Sequence, residues 1–248
     1  LHLYQNQLSG ELPASITNLS QLSNIYIVDC GLEGSLPENI GQLSQLRSIR
    51  LSNNHISGSL PQSLGVLSLL TSLDISYNNF SGEIPASLGN CRELRALNLD
   101  NNALEGAVPP EIGQLSKLFS LTFHNNQLSS LPNELGRLTE ITLLDVSHNN
   151  LSSLPDSLLQ LKDLVGLKAN NNRISSLPNG FGNWRLLEGL DLSNNQIKDF
   201  PEELCFLQKL SKLDLSYNKI EKLPVSIASF KLPRQLRLNN NEISDPIP

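Results

Sequence analysis

The chain has 248 residues, of which 52 are Leu, 32 Ser and 28 Asn, with one Trp and no Met. So much Leu is foreign to a disordered chain, and no run of about 20 apolar residues is present to span a bilayer. A net charge of −6 and a pI near 5.2 lack the basic footprint of a nucleic-acid binder, and no basic amphipathic segment marks a membrane surface.

From the first residue, Leu1-His-Leu-Tyr-Gln-Asn6-Gln-Leu8 sets an eight-position template with Leu at positions 1, 3 and 8 and Asn at position 6. Position 6 then recurs at Asn6, Cys30, Asn54, Asn78, Asn102, Asn126, Asn149, Asn172, Asn195, Asn218 and Asn241. The first six are spaced by 24 residues and the rest by 23. Eleven copies in register mean one small unit repeated along the chain. The alternating Leu predicts a short strand with one buried face. Such a strand cannot bury that face alone, so the coils must stack into a parallel sheet.

After the strand, the first five repeats carry Gly10, Gly34, Gly58, Gly82 and Gly106, then Pro13, Pro37, Pro61, Pro85 and Pro109. Proline ends pairing and directs the chain to the convex side. There the spacing of Ile16, Leu19 and Leu22 predicts a short helical turn with one stripe inward. The sixth repeat reads Leu128-Ser-Ser-Leu131-Pro132, without the glycine, and the shorter form continues through Pro155, Pro178, Pro201 and Pro224. The last stretch, Ile243 to Pro248, returns to the longer spacing with Asp245 in the glycine slot. Charge changes at the same place: residues 1–126 carry 15 charged side chains and residues 127–248 carry 27.

This pattern resembles the leucine-rich repeat over residues 1–248. Residues 1–126 resemble the plant-type repeat of receptor ectodomains, and residues 127–248 resemble mainly the Ras-scaffold type. The resemblance implies an α/β horseshoe solenoid. Its concave face is a parallel sheet with one strand per repeat, and its convex face carries short 3-10 or α turns. It also implies that the position-6 amides bond to backbone of neighbouring coils as a ladder, in which the Cys30 thiol donates only weakly. The lost glycine should mark a change of pitch near residues 126–132 within one continuous solenoid. Both ends cut through a repeat, so we expect a piece of a longer array, with edges covered by further residues or by a partner.

Cys30, Cys91 and Cys205 are far apart and odd in number, which is neither a disulfide framework nor a zinc pattern. Cys91 stands where other repeats place Leu19, Leu43, Leu67 and Leu115, and Cys205 follows Leu204 on a convex turn. All three are expected as separate thiols in or near the core. Trp184 and Phe230 also fill core Leu slots.

No phosphate-binding loop, nucleophile elbow or metalloprotease motif is present, and no acidic pair has a spacing suited to acid–base work. We therefore expect no enzyme and no cofactor. Template positions 2, 4, 5 and 7 are expected to face solvent on the concave side. They hold every Tyr (Tyr4, Tyr26, Tyr77, Tyr217) and every His (His2, His55, His124, His148). Arg50, Asp74, Asp100, Asp145, Lys168, Arg173, Asp191, Asp214 and Lys219 complete the candidate partner-binding set. Such a row suits protein recognition; the alternative is that Ser, then Tyr, His or Asn, then Asn at positions 4–6 is repeat consensus. His124 and His148, with Asp100 or Asp145 nearby, are a weak metal pattern, and we expect no metal. The mixed signs along position 2 argue against a polyanion site. The basic last coils (Lys209, Lys212, Lys219, Lys222, Lys231, Arg234, Arg237) read as a solvated face or a partner contact.

Asn18, Asn79 and Asn150 are N-glycosylation sequons expected to be exposed. Three functions fit. The first is an extracellular or cell-surface recognition module that binds a protein or peptide on its concave face. The second is a cytoplasmic scaffold of a small-GTPase or kinase complex, and the third is a structural subunit that assembles with other subunits or copies. None implies nucleic acid or direct membrane insertion by this segment.

Overall fold

The computed structural model describes residues 1–230 and 234–244. Lys231 and the stretch Asp245 to Pro248, with its expected return to the longer spacing, lie outside the described residues. Each template forms one short strand, from His2–Tyr4 and Asn24–Val28 to Lys212–Asp214 and Gln235–Arg237. Among the described residues these make an 11-stranded sheet whose strands follow chain order. Every pairing in it is parallel, and like template positions face each other, as Leu97 faces Leu121 and Leu144 faces Leu167. We number the coils 1 to 11 by these strands. The side chains at positions 1 and 3 point inward and form one continuous core with Leu and Ile from the convex side.

The prolines leave the strand as sequence predicts. Pro61, Pro85 and Pro109 hold extended backbone immediately before 3-10 turns at Gln62–Val66, Ala86–Asn90 and Pro110–Gln114. The residue closing each turn donates its N–H three residues back, as Leu67 does to the Leu64 carbonyl at 3.1 Å. Leu43, Leu67 and Leu115 are buried, but Leu19 of coil 1 is 53% exposed. The inward stripe therefore fails at Leu19, which lies in the outermost coil of the stack.

The glycine slots sit at bends. Gly34, Gly58, Gly82 and Gly106 have φ between 71° and 80°, the left-handed region that glycine enters without steric cost. Next to them runs a second parallel sheet of four strands on the flank, at Ser57–Gly58, Asn79–Glu83, Ala103–Ala107 and Gln127–Ser130. It stops in the coil that has lost its glycine, with a register shift between Leu128 and Ser130. Beyond it, among the described residues, the flank keeps only isolated bridges, such as Ser153 with Ser176. The concave sheet crosses the same region unbroken.

The convex turns change one coil later. A Cβ on Gly41, Gly65, Gly89, Gly113 or Gly136 would lie 2.2 to 2.4 Å from a carbonyl oxygen of the next turn. Those turns pack so closely that only glycine fits. From coil 7 the same slot holds Leu159, Gly182, Cys205 and Ala228, and a Cβ on Gly182 would meet nothing within 4 Å. The two halves thus differ first on the flank, at residues 127–130, and then on the convex side, after Ser157.

Cys30, Cys91 and Cys205 are free and buried. Burial pushes the Cys91 thiol up to about 11 and raises Cys205 as well. Trp184 and Phe230 are core residues, and the Trp184 indole donates to the Leu158 carbonyl at 2.9 Å.

Candidate binding surface

Two polar rows fix where the concave side chains stand. The first is the position-6 ladder. The Asn78 amide donates to the carbonyls of Leu51, Ile75 and Ser76 and accepts from the Ile56 N–H at 3.0 Å. Asn54, Asn102, Asn126, Asn149, Asn172, Asn195, Asn218 and Asn241 repeat this, with Asn102, Asn172 and Asn241 half-buried. These contacts satisfy buried strand-end carbonyls and loop N–H groups. Asn6 bonds only locally, to the Tyr4 carbonyl. The Cys30 thiol donates to Leu3 and Val28 carbonyls at 3.2 and 3.3 Å but offers no amide oxygen. The Leu8 N–H turns instead to the Cys30 carbonyl.

The second row is position 5. All eleven of its residues, Gln5 to Asn240, have φ between 51° and 58°. Asn and Asp tolerate this left-handed backbone best among residues with a side chain, which explains why six of the eleven are Asn and one is Asp. Its amides also link along the surface, as Asn125 donates to Asn101 at 2.9 Å. Tyr77, His148 and Tyr217 hold the same strained backbone with exposed rings.

The aspartates of position 2 serve structure with one oxygen. Asp74, Asp191 and Asp214 each accept from the N–H and hydroxyl of Ser76, Ser193 and Ser216. Asp145 does the same for Ser147. Position 4 is therefore not uniformly open to solvent: Ser76, Ser147 and Ser216 are buried, and Asp145 itself is buried beneath Lys168, 3.3 Å away. Position 7 leaves the sheet altogether. Asn79, Ala103 and Gln127 belong to the flank strands, so His55, Arg173 and Lys219 lie past the ladder and not among the concave strands.

Three zones gather the remaining residues. In coils 1 to 3, His2 and Tyr26 rings lie 4.6 Å apart, Tyr4 is 6.4 Å from Tyr26, and the Arg50 guanidinium stands 5.3 Å over the Tyr26 ring. In coils 4 to 9, Tyr77, Asp100, His124 and Asp145 line an open depression with Lys168 and Asp191. Asp100 accepts from the His124 N–H at 2.7 Å. Burial, with help from Asp145 and Asp74, pushes its carboxyl up to about 6 against those hydrogen bonds. The His124 and His148 rings meet edge to face at 4.9 Å. Burial and the His124 charge lower the His148 pKa. The ring nitrogens contact Ser147 and Asn171, and among the described residues no group of three His, Cys, Asp or Glu is placed to hold a metal.

The third zone, in coils 7 to 11, comes from residues that a template starting at position 1 passes over. One residue earlier, Leu143, Gly166, Gly189, Lys212 and Gln235 form a further concave row. Period 2 extended backwards by one step would have found it. Arg237 lies 3.2 Å from Asp214 across the last strands. Of the sequons, Asn18 and Asn79 are exposed, whereas Asn150 is half-buried, short of the expected exposure. No helix among the described residues is long and apolar enough to cross a membrane.

Comparison with known proteins places these features. A leucine-rich repeat region model matches residues 87–195, and leucine-rich repeat models match residues 44–104 and, as two copies, 185–230. No curated protein matches the chain by sequence. Among solved structures, a TDR receptor is 32% identical over the whole chain and 44% of its own length, with a TM-score of 0.91. The Arabidopsis receptor kinase HAESA, solved with the peptide hormone IDA and a co-receptor, is 31% identical over the whole chain and 46% of its own length, with a TM-score of 0.87. The chain thus spans less than half of either receptor chain. A leucine-rich repeat protein of Leptospira interrogans is 31% identical over the whole chain and 68% of its own length, with a TM-score of 0.70. The chain belongs to the leucine-rich repeat family.

Proposed function

We propose that this chain is a non-enzymatic recognition module, one solenoid within a longer array, that binds a peptide or protein partner on its concave face. The observation that carries this reading is the concave surface itself. Beneath it, buried Asn and Ser hold the backbone, and above it Tyr, His and charged side chains stand on a rigid sheet. The likeness to a receptor solved with a peptide hormone and co-receptor supports the same reading. It also supports an extracellular setting, in which Asn18 and Asn79 are the accessible glycan acceptors and Asn150 a poorer one.

A library of random ten-residue peptides selected on the immobilised protein tests the function. Selected peptides should bind wild type and lose affinity for Thr122→Arg, which places a bulky cation in the middle of the concave sheet. Gln114→Arg, on an exposed convex turn, should leave binding unchanged. Equal loss in both variants, or none in either, sinks the concave reading. The setting is tested separately, by secretion from a eukaryotic host. Glycan mass removed by Asn18→Gln and Asn79→Gln supports it, and an unmodified protein favours the intracellular scaffold.

A further inference from the structure

Of the 28 asparagines, Asn179 alone precedes a glycine. The repeat pattern also breaks at this point. In coils 6, 7 and 9 the convex turn begins directly after its proline and runs for five residues, at Asn133–Arg137, Asp156–Gln160 and Glu202–Phe206. In coil 8 the proline is Pro178, yet the turn is only Phe181–Asn183. Gly180 stands just before it with φ 106°, a left-handed backbone that glycine enters without steric cost. Asn179 is thus left outside the turn, and it is exposed.

Most ladder asparagines are held at both ends of the amide. Asn78 and Asn149 each donate with the nitrogen and accept with the oxygen. Among the described residues, neither the Asn179 amide nor the Gly180 N–H makes a hydrogen bond. Gly180 also has no side chain to stand between its nitrogen and the Asn179 Cγ. Beside them opens a notch of about 360 Å³, lined by Ser175, Ser176 and Asn179 itself. It is far larger than one water needs.

We propose that Asn179 is a modification site, deamidated through a cyclic imide formed with the Gly180 nitrogen. A base from solution, hydroxide or a buffer anion, takes the Gly180 amide proton. The nitrogen electron pair forms a bond to Asn179 Cγ, the Cγ–Nδ2 bond breaks, and the amide nitrogen takes a proton from solvent and leaves as ammonia. Water then opens one of the two imide C–N bonds. Opening at Cγ gives aspartate at position 179. Opening at the main-chain carbonyl carbon gives isoaspartate, whose main chain runs through Cβ and Cγ. Nothing is oxidised or reduced. Either product puts a new carboxylate on the exposed surface of coil 8.

Hydroxylamine reads the imide on the folded full-length chain, because it converts the imide to a hydroxamate and frees the Gly180 amine. Without denaturant, wild type should be cut into residues 1–179 and 180–248. In plain neutral buffer, peptide mapping should find aspartate and isoaspartate at position 179 before any change at Asn133, which fills the same slot in coil 6. Asn179→Gln should melt with wild type and resist cutting, since its imide would need a larger ring. Glu134→Gly places a glycine after Asn133 inside a complete turn, and it should be cut there several times more slowly than at Asn179. A native chain left whole by hydroxylamine, but cut once unfolded in urea, overturns the proposal, because the fold would then protect the pair. So does cutting of Asn179→Gln at the same bond. Equal cutting at Asn133 in a folded Glu134→Gly overturns the role given to the broken turn.

Discussion

Tyr217 keeps a left-handed backbone, φ 55°, with its ring 56% exposed. An L-residue other than Asn or Asp loses roughly 1–2 kcal/mol in that conformation, and an exposed ring recovers little of it by burial. Most coils use Asn at this position. Tyr217→Asn should therefore stabilise the protein by about 0.5–1 kcal/mol, read as a higher urea midpoint, and weaken partner binding if the ring is a contact. No rise in midpoint would show that the ring earns its place through packing. Asp100 supports a pH prediction. Its folded-state pKa of about 6 lies above the ordinary Asp value of about 4. Its contribution is thus fully present below about pH 4 and lost as pH rises through about 6. Asp100→Asn keeps an acceptor for the His124 N–H and removes the charge. It should raise stability at pH 7 by about 1 kcal/mol, allowing for water at the half-buried carboxyl, with the gain vanishing at pH 4. A gain equal at both pH values would assign the effect to something other than ionisation. Sequence showed Asp100 only as one acid in a row. Its perturbation comes first from burial, with smaller help from Asp145 and Asp74, and stacking of the coils supplies both.

The convex turn shows what the repeat made legible and what it hid. The Pro before it, the Leu that closes it and the Gly slot of the flank all recur, so periodicity exposes them. The tight glycines of the turn recur too, but only geometry says why: at Gly89 a Cβ would lie 2.3 Å from the Glu111 oxygen. Gly89→Ala should destabilise by about 1–3 kcal/mol, the usual cost of forcing atoms into a close-packed contact. Gly182→Ala, in the same slot with open space, should be neutral or stabilising by about 0.4–1 kcal/mol through the unfolded chain. Equal losses in both urea titrations would mean that turn spacing does not change between the halves. The candidate site was legible in part for a similar reason. The Tyr and His of positions 2, 4 and 5 were visible in the sequence as a row, although Tyr77, His148 and Tyr217 also fit the repeat consensus. The concave row through Gly166 and Gly189 was not, since it lies one residue before the Leu at which the template starts. Position 7 was misplaced because a strand pattern does not say where the strand ends, and here it ends before the ladder.

In a solenoid, stability is close to a sum over neighbouring coils, so the uneven stitching of this chain should appear in how it opens. Coils 3 to 6 are joined three times: by the concave sheet, by the four-stranded flank sheet and by convex turns in glycine contact. Coils 8 to 11 keep the concave sheet and the Asn ladder, with isolated bridges on the flank and, at Gly182, no close convex contact. Opening should then begin in the later coils and leave coils 3 to 6 as the last structure to unfold. Matched amides report it, because like positions make like bonds. Ile75 and Leu99 donate to Asn98 and Thr122 at 3.0 Å, while Leu192 and Leu215 donate to Asp214 and Arg237 at 2.9 Å. Nearly identical bonds remove local geometry as a cause, so differences in hydrogen exchange measure the free energy of opening. Leu192 and Leu215 should exchange about tenfold or more faster than Ile75 and Leu99 in native buffer, a gap of about 1.4 kcal/mol. Inserting Gly between Ser129 and Ser130, which restores the spacing of coils 1 to 5, should narrow that gap by carrying the flank sheet further. Equal protection at all four amides in the wild-type chain would mean that the concave sheet and ladder alone set its stability.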